Sequence, residues 1–211
     1  MAEWTGPLYL ASYFVAYAAL HSLMASRRFK DLARRRLPGM QPWYRLVYSA
    51  VAVITLAPLG LMMLWLPDRL LYVVPRPWLY LLILIQAGAV LGLMLTLKQI
   101  GPWSFLGLIP SRDDDLASGS LEVKGFYCWT RNPLFLFSLV LIWSSTFMTV
   151  NQLTVYLLIS IYFYLGALHE ERRLSAELGA AFRDYRATVP RFVPRPGRCY
   201  QRGRYQSDQR A

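Results

Sequence analysis

Between Trp78 and Leu97 the chain runs without a single charged side chain, and a run of that length decides what the rest can be. A helix rises about 1.5 Å per residue, so about 20 apolar residues cover the hydrocarbon core of a bilayer. Further apolar stretches run from Leu8 to Ala25, Leu46 to Leu66, Leu134 to Val150 and Leu153 to Leu168. The last two are short for a span, which implies tilt, a locally thinned rim, or helices that continue into the interface. Only Asn151-Gln152 separates them, so they are expected to form an antiparallel hairpin. With 55% apolar residues and a mean hydropathy of +0.30, the composition excludes an ordinary soluble domain. The expected fold class is all-α, a polytopic integral membrane protein of about five transmembrane helices. Residues 1–198 read as one membrane-embedded domain, because no long polar stretch remains to build a second. Residues 199–211 read as a basic, disordered tail.

The formal net charge of +11 is distributed unevenly. All of the 23 Lys and Arg except Arg69 and Arg76 fall in the loops 26–45 and 98–133 or in the C-terminal segment. By the positive-inside rule that side is cytoplasmic and the N-terminus is outside. The N-terminus lacks the basic region and cleavage site of a signal peptide, so the first apolar run is expected to remain as a span. Charges that flank spans, with no aromatic-interleaved basic fold beside them, meet membrane lipid headgroups rather than nucleic acid. Pro58 is expected to kink the second span. Gly101 to Leu108, apolar but broken by Gly and Pro, reads as a re-entrant or interfacial turn. Asp113-Asp114-Asp115 reads as a solvated loop tip. His21 and Ser22, near the inner end of the first span, read as a helix-packing feature or as a donor at the mouth of a substrate cavity. Cys128 and Cys199 offer no disulfide framework, and with only two histidines in the chain no metal site is expected.

The residues that carry chemistry lie between Gly125 and Pro194. From His169 onward, Glu170, Leu174, Leu178, Phe182, Tyr185 and Val189 recur at three or four residues, the spacing of one helix face, and Pro190 ends the pattern. Glu170, with Glu171 flanking the stripe, is therefore expected to point toward protein at the membrane edge, where an unpaired carboxylate is costly. The cation each needs is either internal, from Arg131, Arg172 or Arg173, or belongs to a ligand. Upstream, Arg131-Asn132-Pro133 opens the fourth apolar run, with Pro133 suited to a first helical turn and free amides nearby. Tyr127 and Trp129 offer aromatic faces that suit a cation or an interface.

Gly125-Phe126-Tyr127-Cys128-Trp129-Thr130-Arg131-Asn132-Pro133, the Glu170-Glu171-x-x-Leu174 helix and the finish Tyr185-x-x-x-Val189-Pro190-Arg191-Phe192-x-Pro194 together resemble the isoprenylcysteine carboxyl methyltransferase and phospholipid methyltransferase superfamily. His21-Ser22, Phe29-Lys30, Tyr44-Arg45, Tyr48-Ser49 and Phe105-Leu106-Gly107-Leu108 are similar to the N-terminal half of bacterial methanethiol-type S-methyltransferases and denitrification-associated membrane proteins. The resemblance implies a membrane enzyme that uses S-adenosylmethionine to methylate a small thiol or a lipid-embedded acceptor. It places the enzyme in a bacterial inner membrane, with a cytoplasmic C-terminal helix completing a cofactor site within 98–195. It implies Tyr127, Arg131, Asn132, Pro133, Leu134, Glu170, Glu171 and Tyr185 as cofactor-binding and Arg131 and Glu171 as catalytic, with no metal. This chain departs from the pattern at Asn132, where relatives carry His, and at Leu136 and Phe137, where relatives carry a small residue. A sterol- or steroid-type NADPH-dependent reductase is the alternative enzyme, but Leu134-Phe135-Leu136-Phe137 stands where that signature is polar. A non-enzymatic protein retaining the fold is the third reading.

Overall fold

The computed structural model describes residues 5–109, 123–195, 199 and 200. Among the described residues four helices are long and apolar enough to cross a membrane: α1 (Thr5–Ala25), α3 (Tyr44–Trp65), α4 (Trp78–Ile100) and α7 (Val150–Leu178). Between them lie α2 (Arg27–Arg36), α5 (Pro102–Leu106) and α6 (Pro133–Trp143), and α8 (Ala180–Thr188) follows α7. Exposed side chains such as Val53, Ile54, Leu64, Leu84 and Met94 cover the outer faces of α3 and α4. Water would not tolerate so many on one surface, and acyl chains cover them without cost.

The chain divides into two compact units. In the first, α1, α3 and the start of α7 meet around Leu10, Phe14, Leu59 and Val155, with Met62, Leu158 and Tyr162 against them. Lipid tails are as apolar as leucine, so close packing and hydrogen bonds, rather than escape from water, hold such helices together. Gly6 shows how close: a side chain there would meet the Pro67 carbonyl at 2.7 Å. Ser26 caps α2 by accepting from the Phe29 amide. Strand β1 (Leu70–Val73) pairs antiparallel with β2 (Phe147–Thr149), with Leu70 opposite Thr149 and Val73 opposite Phe147. Beside them Asp68 accepts the Asn151 amide at 3.0 Å, and the Asn151 side chain donates to the Pro67 carbonyl at 3.2 Å.

The second unit holds the later part of α4, a 3-10 turn at Gly125–Cys128, α6, the rest of α7 and α8. Its core is Phe182, Tyr185 and Val189, with Val123, Leu174, Leu178 and Tyr200 packed on it. Phe137, bulky where the family pattern is small, is accommodated by Gly92, where any side chain would strike the Phe137 ring at 2.5 Å. Phe126 meets the same ring edge-on at 4.9 Å.

Several expectations are corrected here. The fourth apolar run ends as a helix at Trp143, because the Ser144 hydroxyl turns back to the Val140 carbonyl and the chain then extends into β2, so no tight hairpin forms at Asn151-Gln152. At 11 residues, α6 is about half the length that a span needs. The C-terminal pattern is two helices rather than one, broken at Gly179, whose φ of +56° glycine adopts readily. Cys128 and Cys199 are joined in a disulfide across a sequence separation of 71, with Cα atoms 4.5 Å apart. Cys199 and Tyr200 thus pack against the unit rather than trailing in a tail. Pro58 lies inside α3 without ending it, and Gly101 to Leu108 forms α5 between two glycines with positive φ. Asp113 to Asp115 and the rest of the tail lie outside the described residues.

Candidate active site

The site lies in the second unit, where the segment after α8 returns to the turn before α6. Pro190 and Val189 end α8, and the extended chain beyond them runs beside Trp129 to Asn132. The Arg131 amide donates to the Pro190 carbonyl at 2.9 Å, and the Arg195 amide to the Trp129 carbonyl at 3.2 Å. The Thr130 hydroxyl and the Asn132 side-chain amide both donate to the Arg191 carbonyl, at 2.9 and 3.2 Å. Asn132 is therefore a structural clasp at the start of α6, with buried Pro133 as the first helical residue and Leu134 half-buried after it. Tyr185 serves the same turn, donating from its hydroxyl to the Tyr127 carbonyl at 2.8 Å. Burial raises the Tyr185 phenol above its usual range.

This clasp brings two guanidinium groups to one carboxylate. Arg131 reaches Glu171 Oε1 from Nε at 3.1 Å and from Nη2 at 2.9 Å. Its Nη1 donates to the Arg186 and Val189 carbonyls at 2.8 and 3.1 Å, closing the C-terminal end of α8. Arg191 meets Glu171 as a fork, Nε to Oε1 at 2.8 Å and Nη2 to Oε2 at 2.9 Å, with its Cζ 5.7 Å from the centre of the Tyr164 ring. The Glu171 and Arg131 side chains are 6% and 8% exposed and that of Arg191 is 26% exposed, so the pairing is made away from water. Burial lowers Arg131 against the opposing pull of Glu171, whereas the hydrogen bonds that Arg191 donates to Glu171 raise Arg191.

Glu170 reverses the expectation from helical spacing. It is exposed, and Glu171, on the flank of the stripe, is the buried carboxylate. The reason is chemical: only Glu171 has two arginines to compensate its burial, while Glu170 makes no hydrogen bond or ion pair among the described residues. Glu170 does act on Tyr127, whose phenol is pushed up to about 12, first by burial and then by that carboxylate. The Tyr127 hydroxyl likewise makes no hydrogen bond among the described residues. Seven of the eight predicted residues therefore sort into a locked set, Arg131, Asn132, Pro133, Glu171 and Tyr185, and an available pair, Tyr127 and Glu170, while Leu134 is half-buried in the first turn of α6. Of the internal cations considered for Glu171, Arg131 is used; Arg173 lies 4.0 Å from Glu177. Sequence reasoning missed Arg191, although a cation between Pro190 and Phe192, in an otherwise apolar stretch, was a visible signal that it needs an anion.

The arrangement makes a rigid patch from two cations and one anion, with a second carboxylate adjacent in the chain that makes no hydrogen bond or ion pair among the described residues. Such a patch suits a ligand that carries both signs of charge.

No protein-family model and no solved structure matches the chain. It is 36% identical over 84 residues to methanethiol S-methyltransferase 2 of Bradyrhizobium diazoefficiens, a stretch that is 40% of this chain and 32% of the relative. It is 36% identical over 72 residues to methanethiol S-methyltransferase of Mycobacterium tuberculosis, 34% of this chain and 30% of the relative. The match thus spans about a third of the length of each of these two proteins. A longer match, 26% identical over 187 residues, covers 84% of this chain and 71% of methanethiol S-methyltransferase of Crocosphaera subtropica. At higher identity over a short stretch and lower identity over most of its length, the chain is similar to bacterial proteins that carry this name.

Proposed function

We propose that this chain is a membrane-bound methyltransferase that transfers a methyl group from S-adenosylmethionine to a small thiol. The observation that carries the reading is the charge pattern of the second unit: Arg131, Glu171 and Arg191 hold one surplus positive charge, and the Glu170 carboxylate beside them makes no ion pair among the described residues. S-adenosylmethionine has matching groups, a carboxylate for the arginine side and an ammonium and sulfonium for Glu170 and the face of Tyr127. Names of the relatives supply the acceptor class. When bound, the cofactor supplies an electrophilic methyl group on sulfur. Arg131 and Glu171 keep the patch rigid, Asn132, Pro133 and Leu134 fix the start of α6 beside it, and Tyr185 holds the turn that presents Tyr127. A thiolate acceptor needs no nucleophilic side chain and no metal; rate comes from alignment and exclusion of water.

The same reading puts the second unit's turn and C-terminal helix on the cytoplasmic side of a bacterial inner membrane, with the N-terminus outside. Five crossings are required, the fourth through the short α6 at a locally thinned rim, and the pairing of β1 with β2 supports them. It joins the α3–α4 connection to the α6–α7 connection, which must share one side if α6 carries the chain across. Reporters fused after Arg36 and Lys124 should then read cytoplasmic, and an external signal after Lys124 would remove the arrangement.

Calorimetric titration of detergent-solubilised protein tests the central reading. S-adenosylmethionine should bind, NADPH should not, and methanethiol should be methylated in a cofactor-dependent way. Binding of NADPH alone would favour the reductase, and binding of neither would favour a non-enzymatic protein.

A further inference from the structure

The chain has two cysteines, and both line an open pocket of about 380 Å³ in the second unit. Leu95, Phe126 and Trp129 make its walls apolar, and the Gln99 amide is the polar side chain among them. Gly125 belongs to the lining at a φ of +56°, and a side chain there would collide with Gln99. The Cys128–Cys199 disulfide is therefore part of the wall of an apolar pocket rather than a staple sealed inside a core. On the cytoplasmic side that the proposed function implies, a disulfide persists only as a transient or redox-sensing pair. A small alkyl thiol fits both features, because its body is apolar and its thiolate is the nucleophile that opens disulfides.

We propose that this open pocket is a thiol-binding site in which a small alkyl thiolate exchanges with the Cys128–Cys199 disulfide. The thiolate sulfur attacks Cys199 Sγ, a new sulfur–sulfur bond forms to the alkyl thiol, and the Cys128–Cys199 bond breaks with its electron pair on Cys128 Sγ. That thiolate takes up the proton the attacking thiol had lost to solvent. A second thiolate attacks the mixed disulfide, releasing a dialkyl disulfide and the Cys199 thiolate, which is protonated in turn. Two alkyl thiols are oxidised to one disulfide while the protein disulfide is reduced to two thiols. Opening the bond releases Cys199 and Tyr200 from the turn that carries Tyr127 and Arg131. Tyr200 packs edge-on at 5.7 Å against Tyr185, the residue that holds the Tyr127 carbonyl, so thiol supply is coupled to how firmly the candidate site is closed.

This inference rests on the small-thiol reading, and its test separates the two. Protein purified in air, in detergent, should resist alkylation by iodoacetamide. Brief treatment with sodium methanethiolate should add one methylthio group by intact mass, and excess should expose two alkylatable cysteines. Per thiolate, methanethiolate should react faster than glutathione, and Leu95→Trp, which fills the pocket, should slow methanethiolate by about tenfold with less effect on glutathione. Leu95→Phe should show a smaller loss of the same kind if the larger ring prevents folding. Two free cysteines in the untreated protein, or equal rates for the two thiols in the parent and both variants, would overturn the proposal. Exchange without binding of S-adenosylmethionine would overturn the methyltransferase reading and leave the pocket; cofactor-dependent methylation without exchange would do the reverse.

Discussion

Each unit buries a polar cluster, and the two clusters are built from different chemistry. In the first, the His21 ring stacks on Tyr17 at 5.7 Å, lies 4.6 Å from the Tyr48 ring and meets Tyr162 edge-on at 6.2 Å. Its Nε2 bonds to the Tyr48 hydroxyl and its Nδ1 is buried with no partner among the described residues. In the second, both oxygens of Glu171 are occupied by Arg131 and Arg191. Rings of no formal charge can share a membrane span while leaving one nitrogen unmet, at a cost of ~1–3 kcal/mol. Full charges in a dry site cannot, since each unpaired ion costs several kcal/mol more. The first cluster is packing with polar tips, while the second is an electrostatic frame that also leaves one carboxylate exposed.

The largest expected effect follows from breaking that frame. Glu171→Ala leaves two arginines facing each other without their anion, which should cost about 3–5 kcal/mol of stability. Thermal unfolding in detergent measures it, and cofactor binding should be lost with it. A Glu171→Ala protein as stable as the parent would mean that the arginines are solvated and the contrast with the first cluster is unfounded.

Glu170→Gln sharpens the comparison from the other side. Glu170 makes no hydrogen bond among the described residues for the change to break, so the midpoint of unfolding should hardly move. Affinity for S-adenosylmethionine should fall by about 1.5–3 kcal/mol, the range for a hydrogen bond to a charged group, or on the order of ten- to a hundredfold. Unchanged affinity would remove Glu170 from the cofactor site and leave the frame as structure alone.

What sequence could reveal followed the strength of each local signal. The spans α1, α3 and α4 were legible because an apolar run of spanning length admits few alternatives. The end of α6 was not, because Ser144 and Ser145 are tolerated in a membrane helix and only their hydrogen bonds show the break. Arg131 and Glu171 were singled out by motif and by the cost of a buried carboxylate, and they do meet. Their third partner, Arg191, and the inward choice of Glu171 over Glu170 depend on contacts between positions 20 and 40 residues apart in the chain, which no helical periodicity encodes. The disulfide was hidden for the same reason, since two distant cysteines reveal nothing about their separation in space.

The smallest effect belongs to the first cluster and tests whether it is only packing. Tyr48→Phe removes the hydroxyl from His21 Nε2 and leaves neither ring nitrogen with a partner among the described residues, so it should cost about 1 kcal/mol of stability, the net worth of one hydrogen bond. Removing both partners should cost less than removing one, because the apolar pair of similar shape leaves no polar atom stranded. Tyr48→Phe with His21→Phe should therefore unfold closer to the parent than Tyr48→Phe alone, a sign of coupling that thermal unfolding of the three variants measures. Methylation of a small thiol should follow stability in this series, and the Michaelis constant should not change. If Tyr48→Phe kept its stability and lost activity, the ring cluster would belong to the chemistry, and the division between a packing cluster and an electrostatic frame would fail.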